Sequence, residues 1–159
     1  MTEMSSPEVM TGKMKEFGIT EQVRKNRIRI TTAPDRVHYA IKTLQAMFGF
    51  DRLITISAVD NRTTLELIYH LTGPHRMVVS IAVELPRDLP AIATVSGFLL
   101  SAAIYERQIH DLFGIVFTGN PNMNRIMLNE DWPSDEYPLR KDWKPGPDTF
   151  YGGIKVKRS

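Results

Sequence analysis

Three apolar runs separated by very short turns constrain this chain more than any other feature. R-L-I-T-I-S-A-V (52–59), T-L-E-L-I-Y-H-L (64–71) and R-M-V-V-S-I-A-V (76–83) are rich in branched residues, and only D-N-R (60–62) and T-G-P-H (72–75) interrupt them. Strands joined so tightly must pair antiparallel, because a parallel pair needs a crossover of a dozen residues or more. Just upstream, R-K-N-R-I-R-I-T-T (24–32) ends in alternation, with Ile28 and Ile30 on one face and Arg27 and Arg29 on the other. That period of two marks a half-buried strand. The four runs predict a small sheet.

A helix fits between the first strand and the meander. Pro34 and Asp35 suit a first turn after a Thr32 cap, and Val37, Ala40, Ile41, Leu44 and Phe48 form one stripe that stops at Gly49. His38 lies beside that stripe and reads as a packed or surface histidine. A second helical region runs over 94–113, with Gly97 and Ser101 as breaks. Its apolar stripe is Phe98, Ala102, Tyr105, Ile109 and Leu112, which places Glu106, Arg107, His110 and Asp111 on the wetter side. The expected fold is α+β: a small, mostly antiparallel sheet with helices packed on it and a long extended C-terminal arm. The expected divisions are an N-terminal segment over 1–25 with a short helix near 8–17, an α+β domain over 26–117, and the arm over 118–159. The arm holds five of the ten prolines, four of the ten glycines and both tryptophans. It is too aromatic for a disordered tail and too rich in breakers for regular structure.

Composition removes several chemistries. The 159 residues include no cysteine, so disulfides, thiolate nucleophiles and cysteine-held clusters are excluded for this chain. A net charge of +2 does not suggest nucleic acid, and the arginines over 24–29 have no interleaved aromatics to stack bases. The polar, acidic start does not read as a signal peptide. No apolar run reaches the roughly 20 residues that a membrane span needs.

The densest polar motif is E-R-Q-I-H-D-L-F-G (106–114). Residues four apart on a helix face each other, so Glu106 is expected to meet His110, and Arg107 to meet Asp111, in weak ion pairs. A rival reading makes Glu106, His110 and Asp111 the heart of a small metal-dependent enzyme. It lacks an H-E-x-x-H pattern, a phosphate loop and a G-x-S-x-G turn. His70 and His75, near one turn, read as ordinary polar residues.

The order E-R-Q-I-H-D-L-F-G-I-V-F, then G-N-P, R-I-M-L and P-L-R-K-D, resembles the thirty-kilodalton subunit of respiratory complex I, also called the C subunit of NADH dehydrogenase. The similarity runs through Glu106, Arg107, His110, Asp111, Phe113, Gly114, Pro121, Arg125, Trp132, Pro138, Leu139, Arg140, Lys141, Asp142 and Trp143. Gln108, His110 and Asn120 depart from the usual pattern of glutamate, aromatic and histidine. The D-W-P-S-D-E-Y-P-L-R-K-D-W version is similar to those of membrane-bound, energy-converting nickel–iron hydrogenases and archaeal relatives.

The resemblance implies a cofactor-free structural subunit, peripheral on the cytoplasmic side of the cell membrane. Its expected partners are the large hydrogenase-like subunit and the iron–sulfur subunits of a complex that couples electron transfer to ion translocation. Iron–sulfur clusters, and in the hydrogenase type a nickel–iron centre, would sit in those partners. The alternative within the family is the C subunit of a complex that takes electrons from NADH or another hydride donor to quinone or a membrane carrier. No nucleic acid is implied. Trp132, Tyr137, Trp143, Phe150 and Tyr151 are the expected aromatic anchors, and Arg140 and Lys141 are expected to meet carboxylates there.

Overall fold

The computed structural model describes residues 7–146, 149–150 and 154–155; Phe150 and Tyr151 fall outside the described side chains. The elements run α1 (Pro7–Met14), β1 (Ile19–Arg24), β2 (Arg27–Thr32), α2 (Val37–Phe48), β3 (Arg52–Asp60), β4 (Thr64–Thr72), β5 (Val78–Pro86), β6 (Ala91–Ala93), α3 (Ala102–Phe113) and β7 (Val116–Thr118). A two-residue pair, Thr149–Phe150 with Ile154–Lys155, follows.

The main sheet has the order β1-β2-β5-β4-β3. β3, β4 and β5 form the expected antiparallel meander, and β2 lies parallel to β5 at its side. That parallel contact is possible because α2 and two strands separate the pair in sequence. The sheet has five strands, not four. β1, inside the N-terminal segment over 1–25, pairs antiparallel with β2. Its apolar residues Ile19 and Val23 are 72% and 53% exposed, so β1 is held by backbone pairing rather than by a buried face. Such an edge strand leaves no hydrophobic period to read.

α2 matches its stripe: Val37, Ala40, Ile41, Leu44 and Phe48 are all buried, and Gly49 ends the helix at φ 70° with its N–H donating to Gln45 O. Thr32 is not its cap. A short 3-10 turn, Pro34–Arg36, precedes the helix, and the Thr32 hydroxyl donates to Phe17 O at 2.6 Å. Met10, Met14 and Phe17 are buried with Ile28, Ile30, Leu65, Leu67, Val79, Ile81 and the α2 stripe in one continuous core.

The second helix is shorter than the region over 94–113. Only Ala102–Phe113 is α-helical, and the preceding Ala91–Ala93 forms β6, parallel to β7. None of the described helices is long and apolar enough to cross a membrane. Residues 119–146 contain no helix or strand and lie back along α3.

Candidate functional site

α3 is where the arm is fastened, and the expected division of its faces fails. Ala102, Ile109 and Phe113 are buried, but so are Glu106, fully, and Asp111, at 5% exposure. The expected pairs Glu106–His110 and Arg107–Asp111 do not form. The arm covers the side of the helix that was expected to face water. An irregular covered backbone must find acceptors and donors for its own N–H and C=O groups, and the charged side chains supply them.

Glu106 joins three segments. One carboxylate oxygen accepts from the Val95 N–H at 2.9 Å; the other accepts from the Thr94 hydroxyl at 2.5 Å and the Asn120 amide at 2.7 Å. Asn120, which departs from the histidine of the usual pattern, is thus a donor to Glu106. Arg107 spans the next stretch, with Nε on Asn124 O at 2.9 Å and Nη2 on Arg125 O at 3.1 Å. Asp111 Oδ2 accepts from three successive backbone N–H groups, Ile126 and Met127 at 2.8 Å and Leu128 at 3.4 Å. Consecutive N–H groups converging on one anion make a concave nest, here filled by the chain's own carboxylate. His110 uses Nδ1 to donate to Ile115 O at 2.9 Å, and so pins the turn after α3.

The second half of the arm closes over the helix end. Leu139 N–H donates to Leu112 O at 3.1 Å, and Arg140 Nε donates to Phe113 O at 2.8 Å. The Arg140 guanidinium lies 4.7 Å from the centre of the Tyr137 ring. Tyr137 in turn sits on Gly114, where an added Cβ would fall 2.4 Å from the ring. Gly114 is also left-handed, at φ 74°. The position therefore demands glycine twice, for the turn and for the close approach.

The far fastening was not visible in the sequence. Asp60, read as a turn residue, is 2% exposed. It accepts Arg87 through two contacts at 3.1 and 3.0 Å, the Arg62 N–H at 2.7 Å and the Lys141 N–H at 2.8 Å. Arg87 also reaches Asp142 at 2.5 Å. The Arg87 hydrogen bonds hold the Asp60 carboxyl well below the usual carboxylate range; burial opposes this, and the Lys141 and Arg62 N–H groups reinforce it. Asp142 is lowered too, chiefly by its Arg87 hydrogen bond. Arg87 is raised by the two carboxylates.

The remaining motif residues bind locally. Arg125 donates to Asn129 O, Trp132 Nε1 to Glu136 O, and Trp143 Nε1 to a Glu136 carboxylate oxygen. The two indoles stack obliquely, with centres 5.6 Å apart. Pro121 is exposed and Pro138 half-buried; Lys141 contributes its backbone while its side chain stays exposed. Beneath this stretch lies a cavity of about 320 Å³ lined by His110, Asp111, Leu128, Trp132 and Tyr137 among others.

Glu106, His110 and Asp111 do not converge on a common point, and the described residues contain no group of three His, Cys, Asp or Glu able to hold a metal ion. His70 bonds Ser80 through Nδ1, and burial, then Arg27 and Arg29, push its pKa down. The Tyr69 hydroxyl is buried without a hydrogen-bond partner, and burial together with the Glu106 charge pushes its pKa up.

The chain is 34% identical over 147 residues to the C subunit of F(420)H(2) dehydrogenase from Methanosarcina mazei, covering 88% of this chain and 90% of that one. It is 37% identical over 110 residues to the C subunit of NADH-quinone oxidoreductase from Chloroherpeton thalassium, spanning 44% of that longer protein. Among solved structures, a chain of the membrane-bound sulfane sulfur reductase, an archaeal respiratory membrane complex, superposes with a TM-score of 0.77 at 26% identity, over 86% of this chain and 85% of that one. A trypsin-resistant fragment of Nqo5 shares the fold, with a TM-score of 0.62 at 24% identity, over 72% of this chain and 96% of the fragment. The family profile described as respiratory-chain NADH dehydrogenase, 30 Kd subunit, matches residues 30–149, and the chain belongs to that family of complex I-like oxidoreductase subunits.

Proposed function

We propose that this chain is a scaffold subunit in the peripheral arm of a membrane-bound, complex I-related oxidoreductase, and that residues 119–143 are its partner-facing element. One observation carries the reading. The charged motif residues are spent on gripping the chain's own domain, which leaves an irregular segment held rigid with Ile126, Met127 and Leu139 41%, 54% and 52% exposed. Apolar side chains displayed on a fixed surface beside two aromatics fit the centre of a protein interface. The partner this implies is the large hydrogenase-like subunit, with the iron–sulfur subunits adjoining it. Those partners, not this chain, would hold the clusters that carry electrons.

The likeness to the F(420)H(2) dehydrogenase subunit, nearly end to end, supports a complex fed by a hydride donor. The hydrogenase-type reading rests on the D-W-P-S-D-E-Y-P-L-R-K-D-W form of the arm, with Trp132. Sequencing the neighbouring large subunit separates them, because two Cys-x-x-Cys pairs mark a nickel–iron site.

The test is assembly. Met127→Asp and Leu139→Asp should lower the yield of co-purified partner subunits about tenfold while leaving the melting temperature of the isolated chain within about 2 °C. Unchanged co-purification would remove the partner-facing role.

A further inference from the structure

The end of the sheet farthest from the Asp60 fastening carries a second surface. Register places Arg24 opposite Arg27, Arg27 beside Val78, Val78 beside Thr72, and Thr72 beside Arg52. With neighbouring strands about 4.8 Å apart, this row crosses roughly 19 Å. The turns beyond it add Lys25 and Arg76. Asn26 joins those two turns, since its side chain donates to Arg76 O and its carbonyl accepts from Val78 N–H. Arg24, Lys25, Arg27, Arg52 and Arg76 are all exposed. None forms an ion pair among the described residues, whereas Arg29, one step inside, is neutralised by Glu66. His75 is exposed at the same tip, and Asp51 is the acidic residue nearest in sequence.

We infer that this basic rim docks an acidic polypeptide segment of a neighbouring subunit. Four of the five cations are arginines, whose planar forks match carboxylates in pairs. The tip sequences R-K-N-R, P-H-R and D-R hold no Phe, Tyr or Trp on which bases could stack, and no large aliphatic side chain to enter a bilayer. Like charges spread along one edge repel until a complementary surface neutralises them, so the rim also steers the approach of such a partner. The inference rests on the proposed role as a subunit of a complex.

Two experiments test it. In the first, the full chain is titrated with poly-glutamate. Arg24→Glu/Lys25→Glu should weaken binding about tenfold, and Lys15→Glu/Lys42→Glu, with the same change in net charge, less than about twofold. Equal losses from both pairs would overturn the rim. Tighter binding to phosphatidylserine vesicles or to duplex DNA than to poly-glutamate would overturn the polypeptide partner. In the second, a carbodiimide joins amines to carboxylates in salt-bridge contact within the purified complex. Lys25 should be found linked to an Asp or Glu of another subunit. A complex that co-purifies intact with Lys25 unlinked defeats this inference and leaves the scaffold role standing. Failure of any subunit to co-purify defeats the scaffold role itself.

Discussion

α2 and α3 are built alike and held differently. Each has 12 residues, each ends in phenylalanine, and each stops at a left-handed glycine, Gly49 at φ 70° and Gly114 at φ 74°. α2 buries five apolar side chains against the sheet. α3 buries Ala102, Ile109 and Phe113 together with two carboxylates, Glu106 and Asp111. A helix that covers a finished sheet needs only apolar contact, since the strands already satisfy their own backbone. A helix that carries an irregular arm must also supply hydrogen-bond acceptors, because that arm has no ladder of its own.

The largest expected effect breaks that comparison if it fails. Glu106→Ala leaves the Thr94 hydroxyl, the Val95 N–H and the Asn120 amide without their shared acceptor. Urea denaturation should show a loss of about 3–5 kcal/mol, as large as the roughly 2–5 kcal/mol of Leu44→Ala on α2. A loss below about 0.5 kcal/mol, the scale of a surface change, would mean that Glu106 does not hold the arm.

The two glycines give the next test, and a paired one. Both substitutions to alanine carry the left-handed backbone cost of about 1–2 kcal/mol. At Gly49 the new Cβ would meet Pro74 Cγ at 3.4 Å, ordinary contact, so the cost should end there. At Gly114 it would drive into the Tyr137 ring, adding roughly 1–3 kcal/mol. Gly114→Ala should also expose 119–143 to trypsin, and Gly49→Ala should not. Equal effects at the two sites would show that Tyr137 is loosely seated.

The same contrast explains what could be read in advance. α2 was legible because its partners are apolar and its period is complete. The meander was legible because its turns are too short for any other pairing. The C-terminal end of α3 was legible at Gly114, but its start and its faces were not: Glu106 and Asp111 look like solvent-facing charges until residues 119–128 are laid beside them. Nothing local marks Asp60, whose partners Arg87 and Lys141 lie 27 and 81 positions away. β1 was missed because an exposed edge strand has no buried face. The resemblance over 106–142 found the right family while leaving open what those residues touch. Most of them touch their own chain before they touch any partner.

A smaller effect should follow at Asp111. Asp111→Asn keeps an acceptor oxygen in the nest of Ile126, Met127 and Leu128 N–H groups but removes the charge that strengthens those bonds. A loss of about 1–2 kcal/mol is expected, with faster hydrogen exchange at Ile126 and Met127 and unchanged exchange in α2. Faster exchange spread evenly over both helices would deny that the nest acts locally.

The fastening at Asp60 should appear most clearly as a pH dependence. Its folded pKa lies below the unfolded value of about 4, so the unfolded state binds the proton more readily. The stability it contributes is therefore complete above about pH 4 and is lost as pH falls further, through the folded value. Asp60→Asn should flatten the acid limb of the stability curve and release residues 139–143 at neutral pH. Asp142 shares Arg87 but is exposed, so Asp142→Asn should leave most of that limb in place. Water screens an exposed carboxylate, whereas Asp60 is closed in by Arg87 and two backbone N–H groups. If the two variants flatten the acid limb equally, the latch is a surface network rather than a buried anchor. The arm would then be held at α3, through Glu106, Asp111 and Arg140, with the sheet's end adding little.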